Sequence, residues 1–142
     1  MIPKITLMDL YVIETLRKNG LSDQTILEKV RNKEVESFKK YNDRFDFTVL
    51  YELEDAGVLA DVLKKGYEVK FLTFTGLVNV LKLKFNREEG VDYEAEDFTI
   101  TNLQLEEEEL EVLKQIVSKN WIVSRNRSGV IIEPVEQPPI LS

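Results

Sequence analysis

The spacing of apolar residues changes character along this chain. From Thr6 to Lys65 they recur at helical intervals, whereas from Phe98 onward they alternate or gather in short runs bounded by turn residues. An all-helical or all-strand chain would hold one period throughout, so the switch points to an α+β fold. The expected architecture is an N-terminal helical hairpin or bundle packed on a small mixed sheet, with a C-terminal helix and β-hairpin. With 142 residues, 43% of them hydrophobic, the chain can build one sizeable core. A single compact domain is expected over 1–134, with a helical half (1–66) and an α+β half (67–134), followed by a flexible proline-rich tail at 135–142.

In the first half, Leu7, Leu10, Tyr11, Ile13 and Leu16 mark a helix stopped by Asn19–Gly20. Ser22 is a natural N-cap for a second helix carrying Ile26, Leu27 and Val30. A third helical piece presents Val35, Phe38 and Tyr41, and the pattern from Phe47 to Lys65 is helical with a break near Gly57.

The stretch from Tyr67 to Asn86, YEVKFLTFTGLVNVLKLKFN, admits two readings. A β-hairpin would turn at Thr75–Gly76; alternatively a strand over 67–73 feeds a helix capped by Thr75. Thr-Gly is a weak two-residue turn, while threonine caps helices well. Leu77, Val78, Leu81 and Phe85 also form a helical stripe, so strand plus helix is favoured.

Residues 87–97 read as an acidic exposed loop and 98–105 as a strand. EEEELEVLKQIVSKN, 106–120, is the clearest helix: acids open it, lysines lie toward its end, and Leu110, Leu113, Ile116 and Val117 share a face. Residues 121–134 then read as a hairpin turning through Arg125–Gly129. The order strand, helix, ribbon resembles the end of a winged-helix module.

The chain contains no cysteine and no histidine. Thiolate nucleophiles, disulfides, Cys/His zinc sites and histidine bases are therefore excluded. No nucleotide-binding or hydrolase motif occurs. The acidic segment DYEAEDFTITNL lacks the sixth-position glycine and twelfth-position glutamate of a calcium loop. No enzyme activity, metal site or cofactor is expected. Charges interrupt every apolar run, so no membrane span is expected and the protein reads as cytoplasmic.

The net charge of −7 is uneven. Residues 87–117 hold eleven acids against Arg87 and Lys114, while residues 1–45 carry nine basic residues against seven acidic ones. The candidate contact surface is accordingly acidic: Asp92, Glu94, Glu96 and Asp97, then Glu106, Glu107, Glu108, Glu109 and Glu111. Such a patch suits a basic protein partner, although a merely solubilising face would carry the same charge. Trp121 is either a core anchor or an exposed hot spot beside the aliphatic hairpin, and Arg125 and Arg127 mark the hairpin turn. The Val130–Ile132 run reads as an edge strand suited to homodimerisation.

Five glutamates on the pre-wing helix carry the wrong sign for a DNA backbone, so nucleic acid binding is not expected there. The expected function is that of a small non-enzymatic protein-binding regulator or inhibitor of a nucleic-acid-handling partner. The alternative is a helix–turn–helix DNA-binding regulator using the N-terminal helices, with Arg17, Lys18, Lys29, Arg31 and Lys33, and the Arg125–Arg127 turn.

Overall fold

A computed structural model describes residues 2–135 and shows an α+β chain of helices and two small sheets. It divides into two compact units, Met1–Lys70 and Phe71–Ser142. The expected tail from 136 lies outside the described residues.

The first unit opens with β1 (Lys4–Ile5) and α1 (Leu7–Lys18). Thr6 caps α1 by accepting the Asp9 N–H, while Asp9 accepts the Thr6 N–H. Helix α2 (Asp23–Arg31) is capped by Ser22, whose Oγ accepts the Thr25 N–H at 3.1 Å, and it buries Ile26 and Val30. The third helical piece is a 3₁₀ segment, Val35–Lys40, with Val35 and Phe38 buried. Helices α3 (Val49–Asp55) and α4 (Leu59–Lys65) are separated at Gly57, whose φ of +75° suits glycine. Strand β2 (Glu68–Val69) closes the unit by pairing in parallel with β1, with Ile5 beside Val69. The core joins Leu10, Ile13 and Leu16 of α1 to Phe38, Phe47, Leu50 and Leu59. The rings of Phe38 and Phe47 meet edge-on at 5.7 Å.

The second unit begins with α5 (Phe74–Leu83), so strand plus helix is the arrangement found for residues 67–86. Two details differ. The strand is only Glu68–Val69, and the N-cap is Thr73, whose Oγ1 accepts the Gly76 N–H at 2.9 Å. Starting the helix two residues earlier buries Leu77, Val80 and Leu81 and leaves Val78 half-buried.

A four-stranded antiparallel sheet follows, built from β3 (Glu94–Glu96), β4 (Thr99–Leu103), β5 (Trp121–Asn126) and β6 (Gly129–Pro134). Helix α6 (Glu107–Ile116) connects β4 to β5. Its spatial order is β3-β4-β6-β5. The acidic segment is thus not wholly a loop: β3 pairs with β4 through a two-residue turn at Asp97–Phe98, both at positive φ. Nor is Val130–Ile132 an edge, because β6 lies between β4 and β5. The ends of the sheet are β3 and β5.

The loop before α5 is fixed by the end of α6. Ser118 Oγ accepts the Leu72 N–H at 3.1 Å, and the Leu72 carbonyl accepts from Trp121 Nε1 at 2.7 Å and Asn120 Nδ2 at 3.2 Å. Both main-chain groups of buried Leu72 are thereby satisfied by the turn 118–121.

Candidate functional site

Strand alternation sorts the four-stranded sheet into two unlike faces. Ile100, Leu103, Val130, Ile132 and Trp121 are buried on one face. Glu94, Glu96, Glu133, Ile122 and Ser124 are exposed on the other. Register aligns the exposed face into rows. Glu96 pairs with Thr99, Thr99 lies beside Glu133 through the Ile100–Ile132 pairing, and Glu133 pairs with Ile122. A second row runs from Glu94 and Thr101 to Ile131 and Ser124. No lysine or arginine occupies either row. Glu96 and Glu133 are two strands apart, about 10 Å, close to the screening length at physiological salt. Their fields therefore extend about one screening length from the sheet face and weaken as salt rises.

At the turn between β3 and β4, Phe98 is 49% exposed and packs edge-on against Phe74 at 5.6 Å. Asp97 precedes it. An exposed aromatic thus stands at the tip of the acidic hairpin. Glu94 is partly engaged, accepting from Asn102 Nδ2 at 3.0 Å.

The glutamate run of α6 is arranged differently. Glu106 is the N-cap, and its N–H donates to Glu109 Oε1 at 2.9 Å. The same Glu109 oxygen accepts from Arg87 at 2.8 Å, while Arg87 Nε donates to the Gln104 carbonyl and Nη1 to that of Phe85. Arg125 reaches Glu107 at 2.8 Å, and Lys114 approaches Glu111 at 4.0 Å. Much of this run therefore caps its own helix and ties α6 to neighbouring strands and loops.

The sequence-derived set consequently falls into separate groups. Glu94 and Glu96 share the open sheet face. Glu107 is reached by Arg125, which pairs in register with buried Val130 and so projects from the opposite face. One continuous acidic surface from Asp92 to Glu111 is not what the fold builds. Trp121 is 8% exposed and hydrogen-bonded, so it anchors the core rather than offering a hot spot. Arg125 lies on β5 rather than in the turn, and Arg127 is in the turn and exposed. Asp92 closes the turn before β3, its Oδ2 accepting the Glu88 N–H.

Two features escape the sequence reading. Glu133 joins the acidic face only because β6 is inserted beside β4. In the first unit, Glu14 is 3% exposed and accepts from Tyr67 Oη at 2.6 Å and Arg17 Nη1 at 3.1 Å. Arg17 Nε also donates to Asp23 at 2.9 Å, and Nη2 to the Leu63 carbonyl at 2.9 Å. Burial opposes the Arg17 charge, but the Asp23 hydrogen bond and the charges of Glu14 and Asp23 outweigh it and hold its pKa above the usual value. The sequence signal was a carboxylate at position 14, among Leu10, Val12, Ile13 and Leu16, with an arginine three residues on.

Among the described residues, no three acidic side chains converge on a point where a metal ion could be held. None of their helices is long and apolar enough to cross a membrane. Comparison with protein-family models, with curated proteins and with solved structures returns no match to this chain.

Proposed function

We propose that this chain is a non-enzymatic protein-binding regulator that engages a basic partner surface, such as one on a nucleic-acid-handling protein, through the exposed face of its four-stranded sheet. The observation that carries this reading is the cation-free row Glu96, Thr99, Glu133 and Ile122, two carboxylates and an aliphatic side chain on a rigid strand platform. Asp97 adds a carboxylate at the hairpin tip, whereas the ring of Phe98 packs on Phe74 toward the Trp121 side of the sheet. Carboxylates there set orientation and encounter rate, and the apolar side chains supply area that can be desolvated.

Charge distribution supports the assignment to the second unit. Residues 71–142 carry thirteen acids against seven basic residues, whereas residues 1–70 carry thirteen against twelve. The DNA-binding alternative draws less support, because Arg17 is tied to Glu14 and Asp23, and Arg31 to Glu54 at 2.7 Å. Lys33 lies over the Tyr51 ring.

The test is affinity capture from the native host with the wild-type chain and with the Glu94→Gln/Glu96→Gln/Glu133→Gln variant. A protein held by the wild type, released by moderate salt and lost from the variant supports the reading. Salt-independent capture that survives the triple substitution overturns it, and a low-salt electrophoretic shift of DNA favours the alternative.

A further inference from the structure

We propose that two copies of this chain associate through β5, pairing antiparallel about a two-fold axis at Ser124. Strand β5 is one end of the sheet and spans six residues, Trp121–Asn126, with no proline, lysine or irregularity in its pairing. The other end, β3, has only three residues and carries Glu94 and Glu96, the charged form of edge that resists pairing. The two ends are therefore unequal.

The hydrogen-bonding phase of β5 identifies which groups are open. The Val135 N–H donates to the Asn120 carbonyl at 2.9 Å, which marks Asn120 and Val135 as a hydrogen-bonded pair. Alternation then turns the main-chain groups of Val123 and Arg125 away from β6. Outside the β5–β6 ladder, no hydrogen bond to these four main-chain groups occurs among the described residues. Each is a donor or acceptor aimed outward along an accessible edge.

A second copy meets these groups in kind. With Ser124 on the axis, Val123 of one copy faces Arg125 of the other, and all four open groups on each strand are matched. Across this register Ile122 faces Asn126 and Ser124 faces Ser124, so no like charges are directly opposed. Arg125 already has its counter-charge in Glu107 at 2.8 Å. An acidic or basic foreign strand would lack this neutral, self-complementary pairing. Within this sheet the assembly also closes at two, because joining the β5 edges leaves the glutamate-bearing β3 strands at both ends. The acidic sheet face stays accessible, so the inference stands independently of the partner proposed above.

The pairing places the two Ser124 residues in a non-hydrogen-bonded site, where Cα atoms lie about 4.5 Å apart, within disulfide reach. The chain has no native cysteine, so Ser124→Cys introduces a lone thiol. Mild oxidation is expected to cross-link Ser124→Cys rapidly, and the turn control Ser128→Cys at least tenfold more slowly. Sedimentation should give twice 16.5 kDa for the wild type at high concentration. Ser124→Glu and Ser124→Lys, both on the exposed face, should each weaken the dimer several-fold, and mixing them should restore it. A wild type of 16.5 kDa at all concentrations overturns the proposal. So does a dimer unchanged by Ser124→Glu and Ser124→Lys, or equal cross-linking of the two cysteine variants.

Discussion

Tyr67 donates its hydroxyl hydrogen bond to Glu14 over 2.6 Å, joining the entry to β2 with the middle of α1 inside the first unit. Burial, the Glu14 charge and that hydrogen bond push the Tyr67 phenol well above its usual value near 10. A phenol whose pKa rises on folding holds its proton more tightly in the folded chain. Its stabilising contribution is complete below about pH 10 and is lost as pH climbs beyond that. Tyr67→Phe leaves Glu14 with one donor fewer and should cost about 1–3 kcal/mol near neutral pH. The variant should also lose less stability than the wild type between about pH 10 and 12. Urea midpoints across that range check both outcomes.

Tyr93 presents the opposite case. Its ring is 3% exposed, and its hydroxyl has no hydrogen-bond partner among the described residues. Burial, reinforced by the charges of Glu89, Asp92 and Glu88, pushes its pKa up to about 12. Removing an unmatched buried hydroxyl while keeping the ring should leave stability unchanged or raise it by about 1 kcal/mol in Tyr93→Phe. A drop in the urea midpoint would show that the hydroxyl has a partner.

The start of α5 distinguishes two threonines. Thr73→Ala removes the acceptor for the Gly76 N–H and should cost about 1 kcal/mol, while Thr75→Ala, exposed within the helix, should stay within about 0.5 kcal/mol. Thermal melts of the two variants side by side make the comparison.

Gly129 opens β6 at φ +144°, where an added Cβ would lie 2.7 Å from the Leu103 carbonyl and 2.8 Å from Gln104 Nε2. The carbonyl belongs to the β4 backbone and cannot move aside without disturbing the Leu103–Val130 pairing. Gly129→Ala should therefore destabilise the second unit by about 2–4 kcal/mol, read as early loss of Trp121 fluorescence on denaturation.

Local chemistry made the helices legible: Ser22, Gly20, Gly57 and Gly66 punctuate the first unit where the apolar period also breaks. In TFTG, both threonines can cap. Thr73 wins because starting the helix there lets Phe74 pack against Phe98 and Trp121, contacts made by residues far along the chain. Strand β3 was hidden because Glu-Ala-Glu has weak strand propensity, and only pairing with Thr99–Thr101 makes it a strand. The acidic residues were visible in the sequence, but their division between two faces depends on strand order. Glu133 becomes a neighbour of Thr99 only through the placement of β6, and nothing near Glu14 announces Tyr67.

The placement of β6 between β4 and β5 also sets an order of events on the ribosome. The first unit holds both partners of its parallel pair once Val69 has emerged. The second cannot complete its sheet until residues 129–134 follow, because Ile100 waits for Ile132. Throughout that interval β4 has a three-residue neighbour on one side and an unfilled edge on the other. Among the described residues the last strand to be made is thus an interior one, and the chain through Pro134 must have left the ribosome before the acidic face exists.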